Sequence, residues 1–245
     1  MSDLDPPSGP RADRRAELAA GLAEVERRIA EACRAAGRPR AELTLIAVTK
    51  TYPASDVRLL AGLGVADVGE NRDQEAAAKA AECADLALTW HFIGQVQTNK
   101  ARSVVAYADL VHGVDRPRLV AALSRAAVAA GREVGCLVQV DLDQRADRPD
   151  RGGARPAEVP ALAEALAAAP GLRLRGVMAV APLGEDPAAA FARLADVAQA
   201  VQKEHPGADV ISAGMSGDLA QAIANGATHL RVGTALLGRR KPFVR

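Results

Sequence analysis

The apolar residues of this sequence change period repeatedly, and the changes mark its elements. Over residues 14–36, Leu18, Leu22, Val25 and Ile29 recur at three- and four-residue spacing among charges. That spacing predicts an amphipathic helix, closed by Gly37 and Pro39. The pattern then shifts to short, almost continuously apolar runs. The first covers residues 43–49 and ends at Lys50; the others cover 65–68, 89–93, 109–114, 133–140, 172–180, 208–212 and 229–232. Helical spacing fills the gaps at residues 55–63, 71–83, 97–106, 117–130, 157–169, 187–204 and 218–224. Pro117 opens one of these helices, where a proline in the first turn loses no hydrogen bond.

Strands that are apolar along their whole length are buried on both faces, and regular alternation with helices implies a parallel sheet. The fold class is therefore α/β. Eight strand–helix units in 245 residues fit a single (β/α)₈ TIM-type barrel with an extra N-terminal helix. An open doubly wound sheet is the competing arrangement. Its Gly-rich turn after the first strand is missing, because Lys50-Thr51-Tyr52-Pro53 stands there. Residues 1–13, polar and rich in proline, read as a disordered tail, and residues 14–245 as one barrel domain without a linker.

Composition narrows the functional classes. With 31 basic and 30 acidic residues the net charge is +1, so no general attraction to nucleic acid or to an anionic membrane is expected. No apolar run approaches the roughly 20 residues of a membrane span, and the first ten residues lack the apolar stretch of a signal peptide. A cytoplasmic location is expected. Cys33, Cys83 and Cys136 are far apart and have no Cys/His partners at metal-ligand spacing, so neither a disulfide framework nor a metal site is expected.

The ends of the strands carry the chemistry in a barrel of this kind, and phosphate groups favour the loops after the seventh and eighth strands. Lys50 ends the first strand. It either escapes into solvent or points into the barrel mouth, where burial favours the uncharged amine that attacks an aldehyde. After the seventh strand, Ser212-Ala213-Gly214-Met215-Ser216-Gly217-Asp218 is a small-residue loop opening onto a helix. Such a loop lets backbone N–H groups approach an anion, although Ser216 or Asp218 also suits a simple helix cap. Gly233 and Thr234, after the eighth strand, can add donors to the same anion. Arg231 lies in an otherwise apolar strand, where its charge needs a partner. A closed barrel puts the eighth strand beside the first, so an aldehyde-bearing phosphate ester would satisfy Lys50 and the anion loops together. His91 reads as a packed core histidine or as an acid–base group, and Asp141 and Asp143 as a solvated loop.

These strand-end segments resemble one family, the pyridoxal phosphate (PLP) homeostasis proteins of the YggS/PROSC type. The matching pieces are Leu45-Ile46-Ala47-Val48-Thr49-Lys50, Gly69-Glu70-Asn71-Arg72-Asp73-Gln74-Glu75 and the run from Trp90 to Lys100. Gly176-Val177-Met178-Ala179-Val180 and Gly214-Met215-Ser216-Gly217-Asp218-Leu219 through Gly233 complete the set, which spans about residues 15 to 240. The resemblance implies a barrel like the N-terminal domain of alanine racemase, with pyridoxal 5′-phosphate held as a Schiff base on Lys50. It implies that Ser216, Gly233 and Thr234 bind the phosphate, that Arg231 faces the pyridine nitrogen, and that Asn71 and Met178 line the pocket. A guanidinium cannot accept a proton, so the ring nitrogen beside it stays unprotonated and the ring is a weaker electron sink. The stretch Val140-Asp141-Leu142-Asp143 through Arg151-Gly152-Gly153 departs from the family pattern, and the resemblance carries no role over to it.

Alanine racemase has a second, β-rich domain that contributes a tyrosine. This sequence ends at Arg245 soon after its last barrel segment, and its tyrosines are Tyr52 and Tyr107. The expectation is therefore a carrier of pyridoxal phosphate with no catalytic residues and no metal. It would act as a monomer, with PLP-dependent apoenzymes as partners. The alternative is a small PLP-dependent amino-acid racemase or lyase using Lys50 on one face and His91 or Tyr52 on the other.

Overall fold

Each apolar run forms a strand, each amphipathic stretch forms a helix, and the alternation closes on itself. The computed structural model describes residues 10–145 and 152–238. Its strands are β1 (Thr44–Val48), β2 (Asp67–Glu70), β3 (Thr89–Phe92), β4 (Leu110–Val114), β5 (Val134–Gln139), β6 (Leu172–Met178), β7 (Val210–Ser212) and β8 (His229–Val232). Each pairs parallel with the next, and β8 returns to β1, so the sheet has no edge. Parallel neighbours need a crossover. It is made by α2 (Ala54–Ala61), α3 (Asp73–Glu82), α4 (Ala101–Tyr107), α5 (Pro117–Ala130), α6 (Val159–Ala167), α7 (Pro187–Glu204) and α8 (Leu219–Ala224). α1 (Pro10–Ala36) precedes the barrel and α9 (Thr234–Leu237) follows β8. The fold is the (β/α)₈ barrel with an additional N-terminal helix; an open doubly wound sheet would leave β1 and β8 apart.

Boundaries differ from the sequence pattern where polar residues find partners. α1 begins at Pro10, so residues 10–13 are helical although they read as tail; the rest of that stretch lies outside the described residues. β2 lies two residues later than its apolar run, because Asp67 and Glu70 are taken up by bonds to His91 and Lys79. α9 is a single turn, too short for a helical period to show.

Two compartments result. Between the strands and the surrounding helices lies the main apolar core, which includes Leu45 and Ala47 of β1 and, around the barrel, Leu60, Leu119, Leu166, Phe191 and Leu194. Fully burying a side chain of this size stabilises the fold by about 1.5–3 kcal/mol. Inside the ring, Leu110, Leu137, Met178 and Val210 form a small apolar cluster on the β4–β7 side. The interior also holds buried polar side chains, with His91, His112, Ser212 and Arg231 among them.

α1 ties the ends of the barrel together. It packs along α8 and α9, close enough that a Cβ on Gly21 would lie 2.3 Å from the backbone oxygen of Leu236. Arg14 of α1 donates to Asp56 Oδ2 at 2.7 Å and to the Leu237 carbonyl at 3.1 Å. Arg28 donates to the Ser216 carbonyl at 2.6 Å. Among the described residues no helix is long and apolar enough to cross a membrane. Because α9 meets Gly21 with backbone, Gly21→Val has no side chain to push aside and is expected to cost about 1–3 kcal/mol. Urea denaturation checks it; an unchanged midpoint would show that α1 is not docked there.

Candidate functional site

Which strand residues face inward follows from pairing. Ile46 is in register with both Asp67 of β2 and Arg231 of β8, and Gly69 is in register with His91. Arg231, Ser212, His112, His91 and Asp67 are bonded in sequence across strands that are not all neighbours. Those side chains can meet only inside the ring, so Ile46 faces inward too. Side chains alternate along a strand; Val48 is therefore inward and Lys50, just beyond the strand end, continues on the same side. Lys50 is half-buried, and its amine has no hydrogen-bond or ion-pair partner among the described residues. Of the two fates open to Lys50, the alternation favours the barrel mouth.

The backbone on either side of Lys50 is held from behind by α3. Lys79 Nζ donates to the Thr49 carbonyl at 2.9 Å, and Glu75 Oε2 accepts the Thr51 N–H at 3.1 Å. Thr51 has a φ of 68°, a left-handed conformation that threonine rarely adopts without support. Lys79 is itself paired with Glu70 Oε1 at 2.5 Å, and Thr49 Oγ1 donates to the same oxygen at 2.6 Å. Burial pushes the Glu70 carboxyl above the usual range, against the opposing pull of Lys79 and Thr49. One helix, through residues four apart, thus grips both peptides flanking Lys50.

Across the same mouth lie the loops after β7 and β8. Gly214 has a φ of 90°, and a Cβ there would sit 2.7 Å from Ala222 Cβ; only glycine lets the loop turn this closely over α8. Met215 N–H is used by Asp218 Oδ1 at 2.6 Å, so Asp218 holds the loop's shape. The N–H groups of Ser216, Gly217 and Gly233 have no partner among the described residues. Ser216 and Gly233 are half-buried and Thr234 is exposed. Such a set of free donors in adjoining loops suits an anion. Asn71, just beyond β2 on the inward parity, has a buried Oδ1 without a partner among the described residues. Met178 is buried in the apolar cluster inside the ring. The structure therefore brings Lys50, Asn71, Ser216, Gly233 and Thr234 to one end of the barrel, with Arg231 and Met178 in its interior.

Arg231 is buried and has no carboxylate partner among the described residues. It donates to Ser212 Oγ at 2.6 Å and to the Ala179 carbonyl at 2.8 Å. Burial lowers its pKa to about 10, with Asp218 opposing, so it remains a guanidinium at neutral pH. His91 has both ring nitrogens engaged, Nε2 at 2.9 Å from Asp67 Oδ1 and Nδ1 at 2.9 Å from His112 Nε2. Tyr52 donates its hydroxyl to the Gly238 carbonyl at 2.8 Å. Asp141 and Asp143 organise their own loop: Asp141 accepts the Asp143 N–H at 3.0 Å, and Asp143 pairs with Arg145 at 2.9 Å. The three cysteines are buried thiols. Of the divergent stretch after β5, Arg151 lies outside the described residues.

Residues 21–241 match the family described as alanine racemase, N-terminal domain. The protein from Pseudomonas aeruginosa named pyridoxal phosphate homeostasis protein is 43% identical, over 91% of this chain and 96% of its own. Its namesake from Escherichia coli is 37% identical, over 91% and 97%.

The chain belongs to the pyridoxal phosphate homeostasis protein family.

Among solved structures, PipY of Synechococcus elongatus with PLP bound is 37% identical and superposes with a TM-score of 0.77, over 90% of this chain and all of that one. Alanine racemase from Corynebacterium glutamicum shares the barrel alone, at 16% identity and a TM-score of 0.65. In this pyridoxal phosphate homeostasis protein family member, Lys79, Glu75, Ser212, His112 and Asp67 stand around the candidate site through hydrogen bonds that sequence reading does not single out. For His112 the signal was present, since a histidine in Leu110-Val111-His112-Gly113-Val114 alternates with Leu110 toward the interior.

Two predictions follow from this geometry. Lys79→Met leaves Glu70 buried without its cation, and breaking a buried pair costs about 3–5 kcal/mol. Denaturant unfolding is expected to show that loss, with Glu70→Gln/Lys79→Met losing less than the single variant; equal losses would mean the pair is not coupled. His112 is buried and His229 half-buried, both as neutral rings. Burial and the neighbouring His91 hold His112 well below its ordinary value and His229 at about 4. Below pH 6.5 their unfolded forms bind protons that the folded forms refuse, so stability falls on acidification toward pH 4. The slope is up to about 1.4 kcal/mol per pH unit for each ring. Unfolding free energies of the wild type and His229→Asn between pH 7 and 4 check this: the variant should show the shallower slope.

Proposed function

We propose that this chain holds pyridoxal 5′-phosphate at the barrel mouth as a Schiff base on Lys50 and serves as an intracellular carrier and buffer of that cofactor. The observation that carries the reading is an inward-facing lysine without a partner among the described residues, its flanking peptides gripped by α3, at the same mouth as a set of anion donors. When bound, the cofactor supplies an aldehyde that condenses with an amine, releasing water. Lys50 provides that amine. Ser216 and the N–H groups of Gly217, Gly233 and Thr234 provide donors to a phosphate, Asn71 lines the pocket, and Met178 belongs to the apolar cluster within the barrel. Arg231 presents donors only, so it leaves a ring nitrogen facing it without a proton. The bound form of PipY supports the choice of ligand, and the names of the relatives support homeostasis as the role.

Carrying rather than turning over a substrate fits the fate of the other candidates. Proton transfer at a substrate carbon needs a second acid–base group at the mouth. His91 is committed to Asp67 and His112 deep in the barrel, and the Tyr52 hydroxyl is committed to Gly238. In this reading residues 14–245 act as one cofactor-binding domain, as a cytoplasmic monomer, with PLP-dependent apoenzymes as recipients.

Titration of the wild type and Lys50→Ala with pyridoxal phosphate, followed by absorbance, tests the site. The wild type should develop a protonated Schiff-base band, and borohydride reduction followed by mass spectrometry should place the adduct on Lys50. An adduct elsewhere, or the same band in Lys50→Ala, would overturn the assignment. Incubation with amino acids in D₂O tests the role: α-proton exchange well above that of free pyridoxal phosphate, and lost in Lys50→Ala, would show a catalyst instead of a carrier.

A further inference from the structure

The interior of the barrel holds a polar line where apolar layers are usual. Arg231 NH1 donates to Ser212 Oγ at 2.6 Å, Ser212 Oγ lies 2.9 Å from His112 Nδ1, His112 Nε2 lies 2.9 Å from His91 Nδ1, and His91 Nε2 lies 2.9 Å from Asp67 Oδ1. Ser212, His112, His91 and Arg231 are buried, whereas the Asp67 side chain is 24% exposed. Asp67 begins β2, at the end of the barrel opposite the mouth. The line therefore crosses the barrel from the cofactor side to solvent.

The two ends fix its polarity. A guanidinium only donates and a carboxylate only accepts. If each ring carries one proton, the assignment is forced from both sides. Asp67 must receive the Nε2 proton of His91, which leaves His91 Nδ1 to accept from His112 Nε2. His112 Nδ1 is then an acceptor for the Ser212 hydroxyl, and Ser212 Oγ is the acceptor for Arg231. Each of Ser212, His112 and His91, between the two ends, donates once to the next member and accepts once from the one before. The Ser212 proton points away from Arg231, so the guanidinium meets only an acceptor there.

We propose that Ser212, His112, His91 and Asp67 form a one-way hydrogen-bonded relay that positions Arg231 and keeps it a donor toward the ring nitrogen of bound pyridoxal phosphate. This rests on the proposed function only in its last element, the cofactor; the relay itself belongs to the protein alone. The four are positioning residues, since none of them touches the cofactor in this reading. Burial beside His91, His229 and Arg231 keeps His112 uncharged, as the relay requires. His229, whose ring centroid lies 6.2 Å from that of His91, is the neighbouring ring outside the line.

The test has two arms on the full chain. The chain has four histidines, and their ring ¹⁵N shifts report tautomers without any cofactor. His112 and His91 should each be protonated on Nε2 alone at neutral pH; a His112 protonated on Nδ1, or either ring protonated on both nitrogens, overturns the relay. In the second arm, pyridoxal phosphate is titrated into the wild type, Ser212→Ala and Ser212→Thr. Losing a bond to a charged group should weaken binding in Ser212→Ala about tenfold or more and shift the absorbance band. Ser212→Thr, which keeps the hydroxyl, should restore both. Equal affinity and spectra for all three would overturn the positioning role. A wild type that binds no pyridoxal phosphate would sink the proposed function instead, and the histidine tautomers would still decide the relay.

Discussion

The structure depends on closure of a parallel sheet, which turns the two-residue alternation of each strand into a division between two environments. Every side chain on one parity meets the helices, and every side chain on the other shares a space sealed by eight strands. On the outer parity this division is satisfied by apolar packing, from Leu45 and Ala47 to Phe191 and Leu194. On the inner parity it creates a demand. Polar groups removed from water must find partners in the ring, because an unmade bond there costs more than a made one contributes. The line from Arg231 to Asp67 meets that demand for its own members.

The same alternation separates the two lysines near the mouth and gives them opposite duties. Thr49 and Glu70 fall on the outer parity, where Lys79 reaches them from α3; Lys50 falls on the inner parity, with no partner among the described residues. The paired lysine is a structural cation, and its position explains why the stretch Gly69-Glu70-Asn71-Arg72-Asp73-Gln74-Glu75 is chemically mixed. Glu70 and Glu75 work behind the strand, whereas Asn71 works in front of it.

Much of this was legible in the sequence. Eight apolar runs separated by helical spacing gave the barrel, because buried parallel strands leave a local record. The placement of Lys50, Ser216, Gly233 and Thr234 at one mouth was legible because strand ends are where a barrel exposes its backbone. Arg231 stood out as a charge in an apolar strand, and the structure gives it the Ser212 hydroxyl and the Ala179 carbonyl in place of a carboxylate. What the sequence hid was partnership. His112 meets Ser212 across 100 positions of chain, and Lys79 meets Thr49 across 30. Neither separation has a period, so such pairs emerge only when the ring closes. The start of β2 was misplaced for the same reason: Asp67 and Glu70 look like the end of a strand until His91 and Lys79 are seen to receive them.

The pairing of β1 with β8 has a temporal meaning as well. It joins Thr44 to His229, the two ends of the barrel sequence, and contacts so far apart in a chain form late because their loop-closure entropy must be overcome first. Lys50 and the loops after β7 and β8 face one mouth only after that pairing. No partly assembled barrel contains the whole pocket, so its ligand recognises a finished fold. A molecule bound there favours the closed ring over every opened state by mass action, and the cargo of such a protein would act as the latch on its own container.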